Sequence, residues 1–241
     1  MSVVLGAAPK WLPRRAVGEA LAVWGVCFAG ILITFVAFSG WAKLVATLGF
    51  LYLPQFATRQ RGEDFREYGL TLRHWRADLK WFLIVGGIVF PLFIAGYVLF
   101  VWGFRFIPSE VVHLFTPYVR SPSFAFRLPD RFGEWVIDNA FVVALPEEFF
   151  YRGYLQTRLR DAWPEGRMLW GVRLGNAFWV TAILFALGHL AVFAVWRLGV
   201  FFPALLFGWL REKTGSVLAA AAIHACSNLL VQVLDACFFG G

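Results

Sequence analysis

Charge is what this chain has least of. Only 15% of its 241 residues are Asp, Glu, Lys or Arg, against 60% hydrophobic and 19% aromatic. A soluble domain carries about 25% charged and about 45–50% apolar residues. The shortage excludes an ordinary soluble globule and leaves an integral membrane protein whose surroundings are the lipid bilayer. Alternating strands are absent too. The apolar stretches are continuous, and several approach the roughly 20 residues that cross a bilayer as a helix, which argues against a β-barrel. Cysteine is scarce: Cys27, Cys226 and Cys237 lie in apolar segments with no CxxC or finger-like spacing, so no disulfide framework is expected. Acids number 15 against 22 bases, a net charge of +7. The bases lie between apolar spans rather than in one patch, so nucleic acid is not an expected partner. No cleavable signal pattern stands near the start, and the first apolar segment is expected to remain as a span. No internal repeat or low-complexity tract is visible.

What is present is a set of about seven candidate spans, within a range of six to eight, making an all-α polytopic transmembrane bundle. They run over Ala16–Phe38, Trp41–Phe56, Trp81–Val101, Phe132–Tyr154, Leu174–Val195, Leu198–Leu210 and Ser216–Phe239. Most Lys and Arg then fall in the amino-terminal tail, the 57–80 loop, the 152–173 loop and the 211–215 turn. The positive-inside rule therefore predicts a cytoplasmic N-terminus. The 102–131 loop holds Pro108, Pro117, Pro122 and Pro129 among apolar residues. It is too apolar for a free loop and too broken for a helix, so it either lies on the outer membrane surface or folds back over the bundle. His74 and His113, in charged and proline-rich loops, read as surface.

Ionisable residues inside a bilayer are costly and usually functional. Glu147 and Glu148 end the fourth span, followed by Arg152. On a helix the two acids point about 100° apart. Glu148 and Arg152 share a face as an i,i+4 pair. Glu147 is left free to meet other helices and is the better general base. The bland alternative is a cytoplasmic helix end with routine salt bridges. Pro146 adds a kink or a helix start. His189 lies in the fifth span and His224 in the seventh, with Asn228 one turn on. His224 and Asn228 direct two donors toward one point, the chemistry of an oxyanion hole; helix-packing hydrogen bonds are the alternative. Counting about 1.5 Å per residue puts these groups roughly 10–22 Å from the cytoplasmic side, in a cavity expected to open that way.

Three motifs stand in order: Glu147-Glu148-Phe149-Phe150-Tyr151-Arg152, Phe185-Ala186-Leu187-Gly188-His189, and His224-Ala225-Cys226-Ser227-Asn228. Together they resemble the CPBP intramembrane proteases, also called Abi, which include the type II CAAX-prenyl endopeptidases and bacteriocin-processing proteins. The resemblance covers about residues 130–235. It implies one membrane domain, 1–241, with accessory helices over 1–130 and a catalytic core over 130–239. It implies a glutamic endopeptidase in which Glu147 and His189 activate water and His224 and Asn228 form the oxyanion hole. Glu148 and Arg152 would hold the site, with Phe185 packed beside it. No metal cofactor is expected, since HExxH is absent and Asn228 suits an oxyanion hole better than a ligand set; zinc is the minority alternative. The implied partner is a protein or peptide substrate in or near the membrane, the implied location a bacterial inner membrane, and a myxosortase-like subgroup that trims C-terminal sorting tails is one branch. A non-catalytic binding or immunity protein, or a proton-coupled transporter, are the competing functions.

Overall fold

The computed structural model describes residues 11–59, 62–103, 106–108 and 123–239. Each expected span forms a helix, because each is a continuous apolar run bounded by charged or Gly/Pro-containing turns. Helix α1 is Trp11–Ala37, α2 Ala42–Arg59 and α3 Trp75–Gly103. Helix α4 is a single helical run over 132–162, while α5 is Asn176–Gly188, α6 Phe201–Thr214 and α7 Leu218–Phe239. Three segments are long and apolar enough to cross a membrane: Arg14–Ala37, Trp75–Gly103 and Leu218–Phe239. A two-stranded antiparallel hairpin, β1 Gly166–Leu169 and β2 Val172–Gly175, departs from the all-helical pattern between α4 and α5.

Helix α4 sits at the centre. Every residue from 148 to 156 is buried, so this stretch of the helix is covered on all sides, its charged residues included. Its aromatic residues Phe149, Phe150 and Tyr154 form one core with Phe50 of α2 and Ala177 and Phe185 of α5. The run is not uniform. Asp138–Ala144 and Phe149–Leu155 are π-helical, flanking an α-helical Leu145–Glu148. Pro146 produces neither a helix start nor a break. It has no N–H to return to the Val142 carbonyl, and the Thr47 hydroxyl of α2 bonds that carbonyl at 2.8 Å instead.

The loop after α2 is pinned to the α6–α7 turn. Val217 N–H donates to Gly69 O at 3.0 Å, and Gly69 has φ +82°, where a Cβ would lie 2.8 Å from the Arg211 guanidinium. At the other end, residues 123–127 fold back on α7: Ala125 N–H donates to Cys237 O at 2.9 Å, and Phe124 packs edge-on against Phe238. His113, Pro117 and Pro122 lie outside the described residues. His74 is exposed, as expected.

Candidate active site

The acid pair occupies the short α-helical stretch between the two π-helical segments of α4. Glu148 is fully buried and Arg152 is 1% exposed; they pair at 3.1 Å, as the i,i+4 spacing predicts. A buried arginine needs more than one partner. Arg152 Nη2 donates to Ala204 O of α6 at 3.2 Å, and the guanidinium lies over the Phe185 ring at 4.2 Å from its centroid. Phe185 is thus the floor of the charged cluster. Its ring also meets His189 at 4.7 Å and Tyr151 edge-on at 4.9 Å.

His224 reaches the cluster from α7. Its Nδ1 is 2.9 Å from Glu148 Oε1, and its Nε2 faces Glu147 Oε2 at 3.9 Å. The imidazole stacks on Phe207 of α6 at 5.0 Å and 13°. One ring therefore touches both glutamates. Two carboxylates, one guanidinium and one imidazole gathered in apolar surroundings offset one another's charge, which limits the cost of burying them.

Glu147, at the edge of that cluster, also lines a cavity of about 300 Å³. Its Oε2 is buried with no hydrogen-bond partner among the described residues. His189 lines the same cavity, just beyond the end of α5, together with Tyr151 and Gly188. His189 Nδ1 is 2.9 Å from Phe185 O. A carbonyl only accepts, so Nδ1 is the donor, which leaves Nε2 without a hydrogen-bond partner among the described residues. Ile31, Phe35, Ala42, Ala46, Phe50 and Val192 make the remaining wall largely apolar.

The cavity does not open where the depth count put it. Its exposed lining residues are Ser39, Lys43 and Arg197, from the α1–α2 turn and the α5–α6 connection. That is the end opposite the basic 57–80 and 152–173 loops. The count followed rise per residue alone; it did not anticipate that α5 stops at Gly188, leaving His189 toward the far end. Asn228 stands one turn beyond His224 on α7, half-buried, and is not among the lining residues. The structure joins Glu147, His189 and His224 around Glu148, Arg152 and Phe185, and leaves Asn228 beside them.

Sequence reasoning passed over Tyr151, Phe207 and the Ala204 carbonyl. Aromatic residues in an aromatic-rich span carry no distinguishing signal. The glycine before His189 was a usable clue: a Cβ at Gly188 would lie 2.4 Å from the Tyr151 hydroxyl. A zinc site needs three or more converging protein ligands. Among the described residues, no group of three or more His, Cys, Asp or Glu side chains is arranged to hold a metal ion.

Residues 132–230 match the family model described as type II CAAX prenyl endopeptidase Rce1-like. That segment carries all of the candidate residues from Glu147 to Asn228. No curated protein and no solved structure matches the chain.

Proposed function

With residues 132–230 Rce1-like, we propose that the protein is an intramembrane endopeptidase of the glutamic type, hydrolysing a peptide bond of a membrane-associated protein or peptide. The observation that carries this reading is the shared cavity: Glu147 with an unpartnered buried oxygen and His189 with a free Nε2, contributed by different helices to one largely apolar chamber.

A water held between them donates one hydrogen bond to Glu147 and one to His189 Nε2. Glu147 takes its proton as the water oxygen bonds to the scissile carbonyl carbon. The carbonyl oxygen becomes an oxyanion, stabilised by donors on α7, His224 and Asn228. Glu147 then returns the proton to the departing amide nitrogen as the C–N bond breaks. His224 is fixed for this role through Nδ1–H on Glu148, and with a proton on Nε2 as well it presents a donor. Glu148 and Arg152 position that ring and take no part in proton transfer. Every group in this sequence belongs to the chain, and no cofactor is required.

The apolar wall suits small apolar side chains around the cut, as in a CAAX-type tail. With a cytoplasmic N-terminus in a bacterial inner membrane, the cavity faces the outer side. That is the side from which a myxosortase-like enzyme would reach C-terminal sorting tails.

The test compares protein termini in membranes from cells carrying the wild-type chain and Glu147→Gln. New termini that require Glu147 support proteolysis and identify the substrate. Identical termini in the two samples, with a knockout phenotype that both strains relieve, would favour the binding or immunity reading.

A further inference from the structure

The cavity wall presents a hydroxyl that the sequence above does not use. Tyr151 stands four residues after Glu147, one helical turn away on the same face, and both line the chamber with His189. It is 4% exposed. Its ring is clamped edge-on by Phe50 at 5.7 Å, Phe150 at 5.0 Å and Phe185 at 4.9 Å. The hydroxyl therefore has one position, and holding it there costs no further rotamer entropy when a ligand arrives.

A buried tyrosine hydroxyl normally finds a partner. Here the nearby Trp24 indole N–H is given to Leu184 O at 3.2 Å. The hydroxyl has no acceptor among the hydrogen bonds of the described residues, and Tyr151 lines the cavity beside Gly188. The backbone makes room for it. A Cβ at Gly188 would come within 2.4 Å of the Tyr151 oxygen, but no nearer than 3.6 Å to its ring carbon. The residue after that glycine is His189. The phenol thus reaches past Glu147 to the backbone that carries the second water-activating group.

We infer that Tyr151 is a catalytic hydrogen-bond donor, its hydroxyl bonding the substrate's carbonyl oxygen as that oxygen gains negative charge. The inference rests on the endopeptidase reading. It supplies a donor on the cavity wall itself, beside those proposed on α7. The hydroxyl keeps its proton throughout, so the atom balance of the reaction is unchanged.

The experiment uses purified full-length protein in nanodiscs and a synthetic peptide spanning the most abundant Glu147-dependent cut. Tyr151→Phe keeps the ring and its packing. The expected result is a fall in kcat of about 10²-fold, the usual effect of losing one oxyanion donor, with KM and thermal unfolding near wild type. Gly188→Ala, which displaces the hydroxyl, should lower kcat comparably. In the Tyr151→Phe background Gly188→Ala should add little, because its Cβ then meets only the ring. Unchanged kcat in Tyr151→Phe, or a rise in KM alone, overturns the inference while Glu147→Gln remains inactive. Additive losses in the double variant also overturn it, since they make Gly188 a packing position independent of the hydroxyl. Cleavage that survives Glu147→Gln instead overturns the endopeptidase mechanism on which the inference stands.

Discussion

Replacing Arg152 by Met should damage stability far more than its loss of hydrogen bonds suggests. The guanidinium is the full positive charge set against Glu148, 3.1 Å away, and both side chains are essentially out of reach of solvent. Without it, Glu148 is left fully buried with His224 Nδ1 at 2.9 Å as its one remaining partner. Removing one member of a buried ion pair costs about 3–5 kcal/mol, because the other charge remains desolvated. For a chain of this size about 1 kcal/mol moves the unfolding midpoint by about 2–4 °C. A fall of about 6–20 °C is therefore expected for Arg152→Met. Thermal unfolding in detergent, followed by the fluorescence of the 12 tryptophans, reads it directly. The companion variant is Glu148→Gln with Arg152→Met. It leaves no charge stranded at position 148, and the glutamine carbonyl still accepts from His224 Nδ1, so most of the lost stability should return. A single variant within about 1 kcal/mol of wild type, or a double variant no better than the single, would refute the view that pairing of buried charge dominates here.

Other consequences follow from neighbouring geometry. Thr47→Val removes the donor that serves the Val142 carbonyl opposite Pro146 and should cost about 1–3 kcal/mol in thermal unfolding; in a Pro146→Ala background the new N–H serves that carbonyl, and the cost should shrink. Gly153→Ala would set a Cβ 2.7 Å from the Tyr68 carbonyl oxygen, a backbone atom that must move, and should lower stability by about 1–3 kcal/mol. Phe185→Leu removes the ring beneath Arg152 and should cost at least about 0.5–2 kcal/mol from the cation–π contact alone; a melt unchanged from wild type would show that the stacking contributes nothing.

The helices were legible because a bilayer demands long apolar runs, and α2 ends at a charged residue, Arg59, while α6 runs on past Arg211 to Thr214. The Glu148–Arg152 pair was legible because i,i+4 spacing survives the change to π-helical winding at Phe149. What could not be read was tertiary. Thr47 compensating for Pro146 joins residues far apart in the chain, and nothing local marks Thr47 for that role. The hairpin over 166–175 was hidden in a basic loop, where Gly171 at φ +77° closes a turn of opposite hand to a helix. The direction of the cavity was misjudged because apolar composition continues past Gly188 while the α-helix does not.

That early end is what builds the site. Helices α5 and α6 have 13 and 14 residues, so each spans about 20 Å, short of the roughly 30 Å hydrocarbon core. Two short 3₁₀ turns, His189–Val192 and Val195–Val200, join them. Irregular backbone at membrane depth is tolerated only where it is buried in protein or lines a wet cavity, because its carbonyls and amides need partners. Here that backbone borders the chamber holding Glu147. Water entering to satisfy it would also be the reactant that the proposed hydrolysis consumes. A full-length α5 would satisfy its own backbone, bury His189 mid-helix and close the chamber. Shortening that helix would therefore meet two requirements of the proposed hydrolysis together: it leaves room for water beside an apolar interior, and it puts His189 on the wall of the chamber that Glu147 also lines.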